Sequence, residues 1–205
     1  MSKKILIIIL LSLFICSCKK RQEKIEIYLL ENSVSSDEGI PLVKYLKIKK
    51  MPYDPNRINK NYNYDSIKKQ MIYGGKFSVD KTNLQALPII EDKDILKFNL
   101  SRSELILTKR GQYTLSFLDK NINQFAICVD GNPILTGYFR YNYSSVIYSW
   151  NYIGYNYYKD KEKLENPKFV IFHNLNYSDW KPVLTNLEDY PKLLQAFEKS
   201  GRLQR

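Results

Sequence analysis

The chain has 205 residues, of which 44% are hydrophobic and 26% charged, and its formal net charge is +11 at pH 7. This length suffices for one domain or two small ones. A basic balance can indicate nucleic acid, anionic lipid or an acidic partner, but these positive charges are scattered rather than clustered. The scatter argues against a nucleic-acid-binding surface, so no nucleic-acid partner is expected.

The N-terminal segment has the pattern of a secretory signal. Lys3 and Lys4 precede an apolar run from Ile5 to Ile15. Its eleven residues suit a signal-peptide core and fall short of the roughly 20 that are needed to cross a bilayer. The run ends in Ile15-Cys16-Ser17-Cys18, which resembles the lipobox of bacterial lipoproteins.

That resemblance implies a diacylglyceryl group on the Cys18 thiol, cleavage before Cys18, and a fatty acyl group such as palmitate on the new amine. Residues 1–17 are then the signal peptide, and residues 18–24 are a charged tether. Two or three acyl chains give stable membrane attachment, whereas one chain is marginal. A signal peptide that is cut elsewhere, or an uncleaved anchor, is the alternative.

The expected location is the cell envelope of a Gram-negative bacterium, on the periplasmic face of the outer membrane, with the outer surface of the cell as the alternative. The tether is basic at residues 19–21 and lacks the acidic surface-export signal that some lipoproteins carry. Next to an anionic membrane, each of these cations adds about 1 kcal/mol of attraction. The membrane is therefore the first predicted partner.

Cysteine usage excludes an internal disulfide in the mature chain. Cys16 leaves with the signal and Cys18 is lipidated, so Cys128 has no partner. Cys128 lies in the apolar run 125–129 and is predicted to be a small buried hydrophobe. A reactive thiol is the alternative.

Hydrophobic periodicity and turn residues predict the elements of the first third of the mature chain. They are a strand at 25–30, a helix over 37–46 with Pro41 near its first turn, a loop at 52–66, and extended segments at 71–73 and 76–79 joined by Gly74 and Gly75.

Aromatic residues crowd the stretch 138–158, many at every second position. They include Phe139, Tyr141, Tyr143, Tyr148, Trp150 and Tyr152. Period two places side chains on one face of a strand, so paired antiparallel strands are predicted, with 168–172 as a further strand. The last predicted element is a helix. Asp189 and Pro191 mark its start and Gly201 marks its end, and its buried face carries Leu193, Leu194 and Phe197.

Three motifs lie between residues 87 and 139. They are Pro88-Ile89-Ile90 leading to Asp94-Ile95, the strand from Leu105 to Gly111, and the run from Ala126 to Leu135 with the turn Asp130-Gly131-Asn132-Pro133. Together they resemble part of the periplasmic head region of SecD, a membrane partner of the Sec translocon, over about a quarter of the chain. The resemblance implies a strand-helix-strand unit and a role in holding a polypeptide on the far side of the membrane.

The residues themselves support only part of this implication. Gly111 permits a strand-to-helix turn, and the Asp130 to Pro133 turn is a strong hairpin signal. Residues 113–118 fit a strand as well as a helix; the resemblance favours a helix with Tyr113, Phe117 and Leu118 toward the sheet. The Ser-Ala-Pro step of SecD is Thr136-Gly137-Tyr138 here, and no transmembrane bundle follows, so translocase activity does not carry over.

Catalytic and metal-binding patterns are missing from the sequence. The one histidine, His173, follows an apolar run with no Ser or Cys motif nearby, so a hydrogen-bonded histidine at a strand end is predicted. Glu91, Asp92 and Asp94 do not continue into an EF-hand pattern. No enzymatic activity, metal or cofactor is expected.

These patterns predict a single α+β domain over residues 25–205 with a ferredoxin-like strand-helix-strand core. The predicted function is a non-enzymatic module that binds a protein or an extended peptide. The alternative is a glycan-binding lipoprotein that uses aromatic residues of 138–158 as stacking platforms. A sheet face packed on the core accounts for the same aromatics. The candidate ligand residues are Asp130, Gly131, Asn132, Pro133, Tyr141, Tyr143, Trp150 and Tyr152.

Overall fold

The structure is a computed structural model that describes residues 22–58, 62–119, 124–141, 148–155, 167–176 and 181–205. Within these ranges no helix is both long and apolar enough to span a membrane. Cys18 and Tyr143 lie outside the described residues, as do the predicted signal peptide and most of the tether. The fold class is α+β, as predicted.

Twelve strands and three α-helices occur in the described ranges. The strands are β1 (Ile25–Leu29), β2 (Ile40–Pro41), β3 (Tyr62–Asp65), β4 (Gln70–Tyr73), β5 (Ile95–Asn99), β6 (Glu104–Leu107), β7 (Gln124–Val129), β8 (Asn132–Tyr141), β9 (Tyr152–Tyr155), β10 (Phe169–Asn176), β11 (Lys181–Leu184) and β12 (Leu203–Gln204). The helices are α1 (Leu42–Ile48), α2 (Lys109–Ser116) and α3 (Pro191–Lys199), and 3₁₀ turns occur at Lys81–Asn83, Asp92–Asp94 and Leu187–Asp189.

Nine of these strands form the main sheet, and three form a small one. The main order is β1-β7-β8-β9-β10-β6-β5-β12, with β11 pairing to β10, and the small sheet is β2-β3-β4. The ferredoxin-like core is not confirmed, because β8, β9 and β10 lie between the strands that flank α2, which are β6 and β7.

Strand β1 and the hairpin of β7 and β8 form one end of the main sheet. Side chains of β1 alternate between buried and half-buried, as the predicted strand at 25–30 requires, while every residue of β7 is buried. Asp130 and Gly131 connect β7 to β8 with φ values of +49° and +70°. Positive φ at both central residues is the requirement of a type I′ turn, so the predicted hairpin is confirmed.

The small sheet corrects two predictions. The predicted loop at 52–66 contains β3, whose residues Tyr62 and Tyr64 pair with Tyr73 and Met71 of β4. The predicted helix over 37–46 begins only at Leu42, with Pro41 as its N-cap. Proline disfavours helical geometry in the residue before it, which explains the late start. The extended segment at 71–73 is confirmed as β4.

Helix α2 settles the alternative in favour of a helix as far as Ser116, and Leu118, just after it, is buried in the core as predicted. Leu115 is fully buried and Tyr113 is exposed, so the prediction that Tyr113 faces the sheet is wrong. Gly111 lies inside the helix rather than at the turn, where Thr108 caps the N-terminus. A Cβ on Gly111 would stand 3.3 Å from Cβ of Asp94 and of Leu107, so glycine allows the helix to approach the sheet closely.

The C-terminal helix and the strand at 168–172 are confirmed as α3 and β10. Leu193 and Phe197 of α3 are fully buried, and Gly201 follows the helix with φ of +67°. The prediction of antiparallel aromatic strands is wrong for β8 and β9, which pair in parallel with Tyr138 opposite Tyr152. Strand β9 is antiparallel only to β10.

Asp94 anchors helix α2 to the sheet and supports a pH-dependent prediction. Its carboxylate accepts hydrogen bonds from Nε of Arg110 at 3.0 Å and Oγ1 of Thr108 at 2.8 Å, and it is 5% exposed. These bonds hold the pKa of Asp94 below its ordinary value, and the bond from Arg110 has the largest effect. Because the folded-state pKa is depressed, the stabilisation is present at neutral pH and is lost as the pH falls below about 4.

We therefore expect Asp94→Asn to lower the free energy of unfolding by about 1–2 kcal/mol at pH 7, since Arg110 is half exposed and partly screened. Urea unfolding at pH 7 and pH 3 measures this. The deficit relative to the unmodified chain should shrink at pH 3, and Glu31→Gln, at an exposed carboxylate, should show little deficit at either pH. An Asp94→Asn deficit that is independent of pH would contradict a charge-based role.

Candidate functional site

The predicted ligand residues of the hairpin are engaged by the protein itself. The carboxylate of Asp130 accepts a hydrogen bond from the Lys24 N–H at 3.0 Å, and the Asp130 N–H donates to the Lys24 carbonyl at 2.9 Å. Nδ2 of Asn132 donates to the Val129 carbonyl at 3.2 Å. Asp130 therefore fastens the end of the tether to the hairpin tip at Gly131.

The described aromatics around β8 and β9 are mostly buried. Tyr138, Tyr148 and Tyr152 are at most 6% exposed, with Tyr138 stacked on Tyr148 at 4.5 Å between ring centroids. The Tyr138 hydroxyl donates to the Gly75 carbonyl at 2.9 Å, and burial raises its pKa above the usual range. Burial of Tyr152 corrects its prediction as a ligand residue, and Tyr141 is half-buried against the core. Among the described residues these aromatics form no solvent-facing stacking platform.

Two predicted ligand residues, Pro133 and Trp150, meet in an open groove of about 460 Å³. The groove lies between the start of β8 and the segment 76–79. Its lining is Lys76, Phe77, Ser78, Val79, Pro133, Ile134, Thr136, Trp150, His173, Asp189 and Tyr190. Such a size lies within the range of ligand sites.

Trp150 is held in place from three sides. Its Nε1 donates to Oγ1 of Thr136 at 3.2 Å, and that hydroxyl donates to the Phe77 carbonyl at 2.8 Å. Nζ of Lys76 stands 5.3 Å from the centroid of the indole ring, and the His173 ring meets it edge-on at 5.2 Å. A cation at this distance from an indole face is attracted by the ring quadrupole. The groove therefore has a preorganised aromatic wall with one positive charge beside it.

Asn151 connects this wall to the core. Its side chain is fully buried, and Nδ2 donates to the Thr136 carbonyl at 3.0 Å and to the Tyr190 hydroxyl at 2.7 Å. Because a carbonyl only accepts, this amide orientation places Oδ1 next to Nδ1 of His173, at 3.1 Å. Nδ1 of His173 therefore carries the proton, and Nε2 is a hydrogen-bond acceptor in the neutral ring.

His173 was predicted at a strand end, but it lies within β10, at a register shift between Phe172 and Asn174. A β-bulge of this kind re-aims a side chain, and here the imidazole joins the lining of the groove. The prediction of a hydrogen-bonded histidine is confirmed. Its place in a groove was missed, because a bulge leaves no periodic mark in the sequence.

The groove follows a stretch of strand edge that has no strand partner among the described residues. Strand β9 pairs only with Tyr138 to Tyr141, the second half of β8. The first half of β8 is paired with β7 on one side and, within the described residues, borders the groove on the other. Across the groove, the described residues provide no backbone hydrogen bond to Ser78 or Val79.

A larger cavity of about 620 Å³ lies beside the small sheet, lined by residues that include Glu38, Asp65, Ser149 and Asn174. Oδ1 of Asn174 is buried without a hydrogen-bond partner in the described ranges. This cavity has no aromatic wall, and none of the predicted ligand residues lies in it. The groove between β8 and the segment 76–79 is therefore the stronger candidate.

The described residues contain no group of three or more His, Cys, Asp or Glu side chains that could hold a metal ion. Cys128 is fully buried, as predicted, and burial raises the pKa of its thiol to about 12. A thiol in this state is almost entirely protonated at neutral pH and is a poor nucleophile. Comparisons with protein families, with curated proteins and with solved structures found no significant match to this chain.

Proposed function

We propose that the protein is a lipid-anchored envelope module that binds an extended segment of another polypeptide in the groove between β8 and the segment 76–79. The observation that carries this proposal is the first half of β8, which has no strand partner on its groove side among the described residues. On that side the Thr136 carbonyl accepts from Nδ2 of Asn151 and Pro133 has no N–H, so a bound strand would pair with the remaining backbone groups. A bound strand would pair with such an edge through its backbone, which is the β-augmentation mode of peptide recognition.

The chemistry of the groove fits an extended peptide better than a glycan. Trp150 offers one aromatic wall, whereas Tyr148 and Tyr152, which would extend a stacking platform, are buried. Tyr190 in the lining is half-buried, with its hydroxyl bonded to Asn151. Pro133 and Ile134 add apolar surface, and Lys76 and Asp189 add one charge of each sign. A mixed lining of this kind suits side chains that alternate above and below a bound strand.

The sequence resemblance to the SecD head supports the same class of ligand, since that head is associated with polypeptides outside the membrane. The lipobox supports attachment at Cys18. The proposed role is binding and not catalysis. Nδ1 of His173 is bonded to Asn151. Among the described residues, no Ser or Cys side chain that could act as a nucleophile lies within hydrogen-bonding distance of the His173 ring.

The test is binding of a permanently unfolded chain, reduced and carboxymethylated lactalbumin, measured by fluorescence anisotropy. Trp150→Ala is expected to weaken binding by about tenfold or more, because buried aromatic anchors commonly contribute 2 kcal/mol or more. Tyr113→Ala removes an exposed aromatic on α2, away from the groove, and should leave the affinity unchanged. Equal affinities for all three proteins would refute the groove as the site.

Strand addition itself has a separate test. The shortest binding fragment of the unfolded chain is compared with the same peptide carrying N-methyl groups on alternate amides. Blocking the amides that face β8 should abolish binding, while blocking the other set should be tolerated, because alternate residues of a strand donate to opposite sides. Equal binding of both methylated peptides would exclude a paired strand.

A further inference from the structure

We infer that the outward side of helix α1 is a binding surface for anionic lipid headgroups. This surface is named the basic face, and it consists of Lys44, Lys47 and Ile48 of the helix with Lys49, Lys50 and Met51, which follow it. All six residues are described by the structure. The surface depends on neither the peptide groove nor the N-terminal tether.

Helix α1 lies on the small sheet by one side only. Leu42, Tyr45 and Leu46 share that side, because residues three and four positions apart are neighbours on a helix, and all three are half-buried. The Tyr45 ring stacks on Tyr64 of β3 at 3.8 Å between ring centroids. No residue of α1 is buried among the described residues. The opposite side of the helix therefore faces solvent.

This opposite side combines cations with exposed apolar side chains. Lys44, Lys47 and Ile48 share it by the same spacing, and Ile48 is 62% exposed. Met51 is 49% exposed and follows the helix end, where its N–H donates to the Leu46 carbonyl at 3.0 Å. A bond of this kind closes the helix and keeps Met51 beside the last turn. Two apolar side chains thus lie among lysines on one exposed surface.

The charge around the helix is of one sign. Residues 40–53 include four lysines and no Asp or Glu. Within the described ranges, none of these four ammonium groups forms an ion pair with a carboxylate. The nearest acids in the sequence are engaged elsewhere, since Glu38 accepts from the Lys76 N–H at 3.1 Å and Asp54 pairs with Arg57 at 3.4 Å. Four positive charges are therefore available to an anionic partner.

Lys50 occupies a position at which the backbone favours glycine. Its φ is +54°, in the left-handed region, and it follows the helix C-cap, Lys49. A side chain at such a position costs free energy that glycine would not cost. The chain therefore places a further positive charge where local structure favours a residue without one, and strain of this kind is typical of functional positions.

The chemistry of the basic face favours lipid over an acidic protein or a nucleic acid. Its cations are all lysines, which are strongly hydrated point charges and are depleted from protein interfaces, where arginine is preferred. A lysine stem can lie along an apolar surface while its ammonium group reaches the headgroup phosphates. Ile48 and Met51 would contact the acyl boundary below the headgroups, which a nucleic-acid backbone does not offer.

The test is hydrogen–deuterium exchange of the full protein with an excess of vesicles, either of phosphatidylethanolamine and phosphatidylglycerol or of phosphatidylcholine alone. We expect the amides of α1 to exchange about threefold or more slowly with the anionic vesicles, because lipid contact opposes the local opening of a helix that has no buried residue. Helix α2 is the internal control and should exchange equally with both. Salt at about 1 M, with a Debye length of ~3 Å, should remove the difference.

Paired variants assign the difference to the basic face. Lys44→Gln combined with Lys47→Gln should abolish it. Lys81→Gln combined with Lys97→Gln removes the same charge from two exposed lysines elsewhere and should preserve it. Both proteins keep the basic residues 19–21, so any contribution of the tether is common to them.

Lys50→Gly separates lipid contact from folding. Glycine relieves the left-handed strain, so the urea midpoint should stay the same or rise, while the slowing of exchange by anionic vesicles should weaken. Full slowing in this variant would remove Lys50 from the surface.

Equal exchange of α1 with both kinds of vesicle, or a difference that survives the loss of Lys44 and Lys47, would overturn the lipid surface. Slowing by polyglutamate in solution but not by anionic vesicles would also overturn it, and would indicate an acidic polypeptide as the partner. Failure of lipidation or of peptide binding changes none of these outcomes, because the exchange is measured at α1 itself.

Discussion

Replacing Cys18 by serine is expected to move the protein completely from the membrane fraction to the soluble fraction. In the proposed lipidation only a thiol can become the thioether that would carry the diacylglyceryl group, so a hydroxyl at this position would leave the chain without acyl chains. Each buried methylene contributes about 0.8 kcal/mol to membrane binding, so the loss of two or three chains exceeds any remaining electrostatic attraction. Fractionation of envelopes and mass spectrometry of the N-terminal peptide measure the result.

Cys16→Ser is the matched control. Cys16 lies two residues earlier, in the segment that the proposed cleavage before Cys18 would remove, so this variant should be acylated and retained like the unmodified chain. Membrane retention of Cys18→Ser would contradict lipidation and favour an uncleaved N-terminal anchor. Release of both variants would show that membrane attachment requires the whole lipobox and not Cys18 alone.

Asn151→Leu is expected to destabilise the fold by about 3 kcal/mol, because it leaves several buried polar groups without partners. The Thr136 carbonyl and the hydroxyls of Tyr190 and Thr185 all bond to the fully buried Asn151 side chain, at 3.0, 2.7 and 3.3 Å. Leucine has a similar volume, so the loss reports hydrogen bonds rather than a cavity. Urea unfolding of the soluble Cys18→Ser protein measures the difference.

Asn32→Leu is the control for the same chemical change at an exposed position, and it should alter stability by less than about 0.5 kcal/mol. In Asn151→Leu the His173 ring also loses its acceptor, so peptide binding should weaken even under conditions where the variant is folded. Unchanged stability would show that water replaces the amide and that Asn151 does not organise the groove.

Elements with strong local signals could be predicted from the sequence. The hairpin at Asp130 and Gly131 needs two positive φ values, and few residue pairs satisfy them as well. Helix α3 begins after Asp189 with Pro191 and ends before Gly201, which are standard boundary residues. Strand β1 alternates visibly. In these segments the local preference and the tertiary structure agree.

Predictions failed where pairing partners decide the outcome. Strand β3 is four residues long and lies in a stretch rich in Asn and Asp, so composition predicted a loop there. Tyr148, Trp150 and Tyr152 have strand periodicity, yet β9 begins only at Tyr152. Tyr148 packs in the core while Trp150 lines the groove, so the spacing did not indicate a shared face. Strand direction is set by topology and leaves no local mark, which is why the parallel pairing of β8 and β9 was missed.

The groove could be predicted only in part. Pro133 and Trp150 were selected as a turn residue and an aromatic residue, and the fold brings them together. Lys76, His173 and Tyr190 come from other parts of the chain, and no spacing in the sequence relates them. The length of the β8 edge that no described strand covers depends on where β9 starts to pair, which is a property of the whole sheet.

The pairing of β1 with β7 has a consequence for how the chain folds. Ile25 lies opposite Val129, so the pairing of β1 with β7 forms only after the bridges from Ile27 to Ile90 and from Leu30 to Leu84 on the other edge of β1 have become possible. Contacts of such long sequence separation slow folding, because loop closure must precede any gain from pairing. A growing chain therefore carries β1 with only these isolated bridges until β7 has been made. A chain whose first strand completes its pairing late remains extended for longer, and a polypeptide passes through a narrow channel in extended form.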